Sequence, residues 1–390
     1  MTGRARTLVG FAVVAVALGF APNIQEAFEF PRFYLIFLFT MFFWISQASS
    51  WNILTGYSGY FSFGQGAFYG VGVYTVGVLV VKQGWSFMTA LPVAGLLAGL
   101  TGLFLGLVVF RVRRLTGEIF ALTTLAIAFV LASAARLSTF IDGGNGIFTT
   151  GTPLPEYLGE FTTAAYRLTL VIALITVVVA YLIHDSRLGW GLFAIRDDEP
   201  VAEGLGVPTF RYKMAALGAN ALLAGLMGGV WALQLGFVTV DEVFNIRVPL
   251  FVILMSVLGG MQHWMGPVIG AVIITTLTDR LNSAGLADVN QIIIGGMLVV
   301  LALAVREGVY VRMRRRWPTT AITFFGVLGL ATVLDLNDSL ISDFAYAMVA
   351  TVVVLLVPDP FWARIRDGLG RSAPAEEQTG VAEDLTRTGP

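Results

Sequence analysis

Residues 185–213 read DSRLGWGLFAIRDDEPVAEGLGVPTFRYK and form the one long hydrophilic interruption in a chain otherwise made of apolar runs. The contrast between this stretch and its flanks decides the fold class. Of 390 residues, 56% are hydrophobic and only 13% charged, with mean hydropathy +0.80, whereas a soluble domain carries about 25% charged residues. Outward from the loop in both directions, runs near the ~20 residues needed to cross ~30 Å of hydrocarbon recur. With no bilayer water to satisfy peptide groups, these runs are expected to be helices. They are apolar on all sides, while barrel strands would alternate apolar and polar residues. The expected fold is therefore all-α, a polytopic bundle of membrane-spanning helices.

Twelve spans are expected, at residues 8–21, 33–54, 67–81, 87–110, 119–137, 166–184, 214–235, 249–259, 265–280, 291–305, 319–334 and 341–357. The first is as short as the apolar part of a signal peptide, but no small-residue cleavage site follows it, so it is read as a helix. The run at 249–259 is too short to cross alone. Joined through Gly259 and Gly260 to the next run, it reads as a broken or re-entrant element, which needs shielding by protein or a water-filled cavity.

Short cytoplasmic loops are enriched in Lys and Arg. Arg4 and Arg6, Arg111, Arg113 and Arg114, Arg187, Arg196, Arg211 and Lys213, Arg306 and Arg312 to Arg316, and Arg364 and Arg366 all fall on one side of the alternating pattern. Both termini are expected in the cytoplasm, with Glu26, residues 142–160, 241–247 and 335–343 facing outward.

Composition and motifs exclude several functions. The chain has no Cys, hence no disulfide, thiolate metal site or cysteine nucleophile, and its net charge of −1 gives no reason to expect nucleic-acid binding. It carries no G-x-x-x-x-G-K-[ST] phosphate loop, no H-E-x-x-H pair and no nucleophile elbow. The two histidines, His184 and His263, read as helix-end or loop residues. A proton- or sodium-coupled carrier places ionisable groups near the membrane midplane. Here Glu118, Arg136, His184, Asp279 and Arg280 all sit near expected span ends, where they read as interfacial anchors. Energy coupling is therefore expected from outside the chain.

Glycine placement is the second signal. TGYSGYFSFGQGAFYGVGVYT, residues 55–75, and GGMQHWMGPVIGA, residues 259–271, concentrate glycines at spacings that let helices approach closely. Two readings stay open: tight packing, or a helix unwound toward a pathway, with Ser58, Ser62, Gln65 and Gly66 in the first segment and Gly259, Gly260, Gly266, Pro267 and Gly270 in the second as candidate broken-helix residues. An outward turn, DGGNGIFTTGT at 142–152, is expected around Gly144, Asn145 and Gly146. Within the long loop, Leu192, Ile195 and Val201 give a short helix an apolar face, Pro200 suits a helix start, and Gly204 and Gly206 suit its end. Such a helix can lie on the bilayer surface or in a partner's groove.

Three stretches together resemble the permease subunits of branched-chain amino-acid ABC importers, the M-type member: LTGYSGYFSFGQGAFYGVGVY; IFALTTLAIAFVL followed by GGNGI; and SRLGWGLFAIRDDEPVAEGLGVPTFRYK leading into NALLAGLMGG and LGGMQHWMGPVIGA. The resemblance covers residues 52–306. It implies a pore-forming subunit of a bacterial inner membrane that binds no cofactor itself. It also implies a second homologous permease, two cytosolic ATPases that use ATP and Mg, and a periplasmic or lipid-anchored solute-binding protein. In this family the A-x-R-x-[DN]-E-x-x-A-x-x-x-G loop couples to the ATPase. The matching positions here are Ala194, Arg196, Asp198, Glu199, Ala202 and Gly206, with Gly189 opening the loop. Pro200, Glu203 and the bulky Gln262 to Trp264 depart from the pattern. The resemblance implies a permease domain at 1–306, after which a basic connector at 307–318, an apolar hairpin at 319–357 and a polar tail at 358–390 are additions. Branched-chain amino acids are the implied solute, with urea or a short amide as the alternative. A self-sufficient carrier or channel and a membrane scaffold are the readings from other classes.

Overall fold

The computed structural model describes residues 3–28, 31–111, 117–141, 144–283 and 308–333, with single positions at 285, 292, 295–296, 343, 347–348, 350–351 and 355. The expected spans at 291–305 and 341–357, the residues Arg113, Arg114, Gly143 and Arg306, and the chain from 356 onward lie outside the described residues, apart from those single positions.

The described chain is a helical bundle, and seven of its helices are long and apolar enough to cross a membrane: Arg4–Ala27, Phe33–Ser58, Phe87–Val109, Gly117–Leu137, Phe161–His184, Thr209–Leu235 and Val240–Gly259. In chain order the elements are α1 (Gly3–Gly19), α2 (Ala21–Ala27), α3 (Phe33–Ser58), α4 (Gln65–Val76, extended by a π-helical turn over Gly77–Lys82), α5 (Phe87–Val109) and α6 (Gly117–Leu137). After these come α7 (Phe161–His184), α8 (Arg187–Asp197), α9 (Glu199–Gly204), α10 (Thr209–Leu235), α11 (Val240–Val243), α12 (Arg247–Gly259) and α13 (Met265–Ser283), followed by helices Val309–Arg315 and Trp317–Val333. Among the described residues there is one two-stranded antiparallel ribbon, with Ile147 opposite Val238 and Phe148 opposite Phe237.

Two elements differ from the sequence expectation. The first run continues past residue 21: α1 ends at Gly19 and α2 follows directly, with Pro22 in its first turn, where the missing N–H costs nothing, and Ile24 N donating to Phe20 O at 3.0 Å. The short run at 249–259 gains length from the polar residues before it. Thr239 caps α11, and Asn245 Oδ1 accepts from Arg247 N at 2.9 Å, so the Val240–Gly259 segment reaches spanning length.

Helices pack where side chains vanish. On α5, Gly95, Gly99, Gly102 and Gly106 face Leu226, Leu222, Ala221 and Met214 of α10, and α10 returns Gly225 against Ala98. The closest seam is between α12 and α13. A Cβ on Gly259 would overlap Gly266 O, one on Gly266 would overlap Gly260 O, and one on Gly270 would overlap Met255 O. Polar ties fix the ends: Tyr166 Oη donates to Leu18 O at 2.8 Å, and Arg32 pairs with Glu160 at 2.8 Å.

Gly266→Ala is expected to destabilise the bundle by about 2 kcal/mol, the usual scale of overpacking. Gly10→Ala, inside α1 where nothing lies within 4 Å, is expected to be stabilising by about 0.5–1 kcal/mol. Thermal unfolding of both variants in detergent checks the pair.

Candidate functional site

The segment between α3 and α4 leaves the helix. Gly59 ends α3 at φ +76, a value that glycine adopts without strain, and residues 59–64 run without helical bonds to Gln65. Away from water, a broken helix holds only if its backbone groups find other partners. Side chains supply them: Trp51 Nε1 donates to Ser62 O at 2.7 Å, Thr55 Oγ1 to Tyr60 O at 3.0 Å, and Phe63 N donates to Thr124 Oγ1 at 3.0 Å. Ser62 Oγ accepts from Gly64 N, and Ser58 Oγ donates to Leu54 O. Gln65 Nε2 reaches Gln47 Oε1 at 2.7 Å and Ser50 Oγ at 3.1 Å. Ser58, Ser62 and Gln65 are thus buried inside the bundle as braces of the break, and Gly66 lies against Asn245 O and Pro249.

The hydrophilic loop folds as two helices at an angle. Ser186 caps α8 by accepting from Gly189 N, and Gly189 sits against the Ile183 and His184 carbonyls with no room for a Cβ. Asp198 caps α9 by accepting from Val201 N at 2.9 Å, Pro200 occupies the first turn, and Gly206 leaves at φ +88. Pro200 is therefore accommodated rather than disruptive. Leu192, Ile195 and Ala202 turn inward, while Trp190, Val201 and Leu205 stand 72%, 56% and 81% exposed.

Charge ties this loop to the break. Arg196 Nη1 donates to Gly56 O at 2.7 Å, and the stem of Arg196 lies over Gly59. Glu199 accepts from Lys213 Nζ at 2.5 Å and from Tyr60 Oη. Lys213 Nζ also sits 4.6 Å above the Tyr60 ring and 5.0 Å from that of Phe110, a cation–π arrangement. Burial, and then the adjacent Glu199 carboxylate, push the Tyr60 phenol above its ordinary range, so it remains a donor. The turn between α12 and α13 joins the same end: Met261 O lies over Gly56, and His263 packs 5.1 Å from His184 and 4.4 Å from Tyr310, ring centre to ring centre. Arg196 of α8 and Met261 of the α12–α13 turn thus meet at Gly56 of α3, while Gly189, Ala194, Asp198, Glu199, Ala202 and Gly206 belong to the α8–α9 loop that carries Arg196. Gly144 (φ +84), Asn145 and Gly146 (φ +88) lie elsewhere, beside Arg136 and the Phe237–Val238 strand.

Sequence reasoning did not find Tyr60, Lys213 or Gly56 as members of this cluster. One signal existed: Lys213 is one of two lysines in a chain whose other basic residues are Arg.

Residues 33–302 match the family model described as branched-chain amino acid transport system / permease component. The chain belongs to this family. It is 29% identical over 279 residues to the high-affinity branched-chain amino acid transport system permease protein LivM of Escherichia coli K12, covering 65% of this chain and 64% of that protein. A LivM of Salmonella typhimurium matches at 28% with the same coverage. The probable branched-chain amino acid transport permease protein LivH of Methanocaldococcus jannaschii matches at 25% over 223 residues, 55% of this chain and 69% of that protein. The match thus spans just under two-thirds of the LivM proteins. No solved structure matches.

Two outcomes follow for the cluster. Lys213→Met strands the half-buried Glu199 carboxylate and is expected to cost about 2 kcal/mol, most of it recovered when Glu199→Gln is added; a double-mutant cycle in detergent measures both. Burial, with the neighbouring His184 and Arg314 charges, lowers His263 to about 4, against the opposing pull of Asp185. Its Nδ1 accepts from Met265 N at 3.1 Å, a bond that only an unprotonated nitrogen can make. The unfolded chain then binds the proton first, so this contribution is present above pH ~6.5 and is lost as pH falls toward 4. The melting temperature is expected to drop over that window less steeply in His263→Gln.

Proposed function

We propose that the chain is a pore-forming permease subunit of an ATP-driven importer in a bacterial inner membrane, carrying a branched-chain amino acid handed over by a periplasmic or lipid-anchored binding protein. It would pair with a second homologous permease and with two cytosolic ATPases, which use ATP and Mg; this chain itself binds neither. About twelve crossings place both termini in the cytoplasm, with the permease domain at 1–306, the basic connector at 307–318, the added hairpin at 319–357 and the tail at 358–390. Family membership supports this reading, as does the relatives' description as transport permeases.

The observation that carries the mechanism is the double tether of the loop to the helix break through Arg196 and Glu199. A loop held only by its ends would absorb a push from the ATPases. This one passes it to Gly56 and Tyr60, and so to the segment 59–64. The loop's two faces have different tasks: Arg196 and Glu199 face the bundle as handles, while Val201 and Leu205, with Trp190, face outward as apolar contacts for a partner's groove.

Val201→Asp with Leu205→Asp is expected to lower recovery of the ATPases with this chain at least about tenfold, since each buries a charge in an apolar interface. Arg196→Ala is expected to keep the ATPases bound but to lower solute uptake per ATP hydrolysed. Affinity purification and reconstituted uptake separate the two effects; loss of ATPase binding in Arg196→Ala would make the tether a docking contact instead.

A further inference from the structure

A cavity of about 650 Å³ opens at the end of the bundle remote from the coupling loop, within the ~300–1,000 Å³ range of small-molecule sites. Its walls are the first turns of α3, the start of α12, the later turns of α13 and the last turn of α10. Aromatic rings form the apolar side: Phe43 packs on Trp231 at 3.9 Å, and Trp44 stacks on Phe251 at 5.3 Å. A second cavity, of about 440 Å³ beside Leu97 and Phe140, has no charged side chain among its described lining residues.

The large cavity has two poles. On α13, Thr275 Oγ1, Thr278 Oγ1 and Asp279 Oδ2 are buried without a hydrogen-bond partner, with Arg280 Nη2 standing 3.4 Å from that Asp279 oxygen, and all three residues line the cavity. Thr275 is 95% buried, being 5% exposed. Buried polar groups are normally bonded, and each exception calls for an explanation. These three share one helix face over one cavity, next to the carboxyl end of α13, where partial negative charge favours a cation. Opposite in character, Arg247 opens the 13-residue α12, whose first N–H is already taken by Asn245 Oδ1 at 2.9 Å. Its guanidinium, on the same wall as Glu242, is the group that favours a carboxylate.

Resting on the importer reading above, we propose that this cavity holds the translocated solute as a zwitterionic α-amino acid with an apolar side chain. The ammonium meets Asp279, Thr275 and Thr278, the carboxylate turns to the Arg247 guanidinium, and the side chain lies along Trp44, Phe251 and Phe43. Urea or a short amide offers Arg247 no carboxylate, and the loss of that charge-assisted contact favours the amino acid; Asp279 is already paired with Arg280 at 3.4 Å.

The test uses the whole importer in proteoliposomes, with partner permease, ATPases and binding protein, and [14C]leucine. Absence of ATP-dependent leucine uptake by the wild type would overturn the importer reading itself. Given wild-type uptake, Asp279→Asn and Arg247→Gln are each expected to lower turnover at saturating leucine-loaded binding protein about tenfold, the loss of one charge-assisted contact. The binding-protein concentration at half-saturation should not move. Unchanged turnover overturns the cavity assignment, and so does a rise in half-saturation alone, which would make the rim a docking surface for the binding protein. Because the chain has no cysteine, Thr278→Cys adds a readout that does not depend on the charge variants folding. Its modification by a water-soluble methanethiosulfonate, which forms a mixed disulfide and releases methanesulfinate, is expected to slow several-fold with leucine-loaded against leucine-depleted binding protein, and equal rates would overturn the proposal.

Discussion

The Cα of Gly259 rests against the carbonyl of Gly266, and that of Gly270 against the carbonyl of Met255. Much else in the molecule depends on this backbone-to-backbone seam. In lipid no hydrophobic force draws one apolar helix to another, so close approach through small residues and interhelical hydrogen bonds must hold a bundle together. The seam fixes the turn at 260–264, and the turn in turn sets Met261 O over Gly56 and His263 beside His184. A side chain at any of these glycines would separate the two helices and carry the turn away from the α3 break.

The break is the second dependency. An unwound stretch inside a membrane protein has backbone groups that no water reaches, each costly if left alone. Trp51 and Thr55 of α3, Thr124 of α6 and Ser62 within the stretch answer that cost with directed bonds. The result is a segment that is irregular but not loose, with a small set of replaceable bonds. In the proposed importer, such a segment suits a gate: its alternative state exchanges some of these partners rather than melting a helix.

Legibility in the sequence followed the range of the interaction. Apolar runs gave the helical class and most spans, because length and hydropathy are local properties. The α8–α9 loop was visible as a polar interval, and its cap and Pro200 as local turn chemistry. The Glu199–Tyr60 and Arg196–Gly56 ties join residues 139 and 140 apart, and nothing local announces them. Arg196 and Glu199 match the family's coupling loop; in the structure both bond to the chain's own bundle, and Val201 and Leu205 stand outside. Asp279 and Arg280 read as anchors because they fall near a span end. Which side of α13 faces a cavity is set by the packing of α3, α10 and α12, which no window of sequence contains.

The α12–α13 hairpin touches both ends of the functional arrangement. Its remote ends carry Arg247 and Asp279 at the cavity, while its turn carries Gly260 to Trp264 at the loop and the break. At 1.5 Å per residue, the 13 residues of α12 bridge about 20 Å. A pair of helices joined through flexible side chains would shear under a push at one end and dissipate it. Helices in contact through carbonyl oxygens and Cα atoms have little side chain between them to repack, so displacement of the turn must move the pair as one body. Charge poles mounted on such a body change their spacing against the α3 wall when the hairpin tilts. That is the property a site needs if it is to hold a solute in one state and release it in the other.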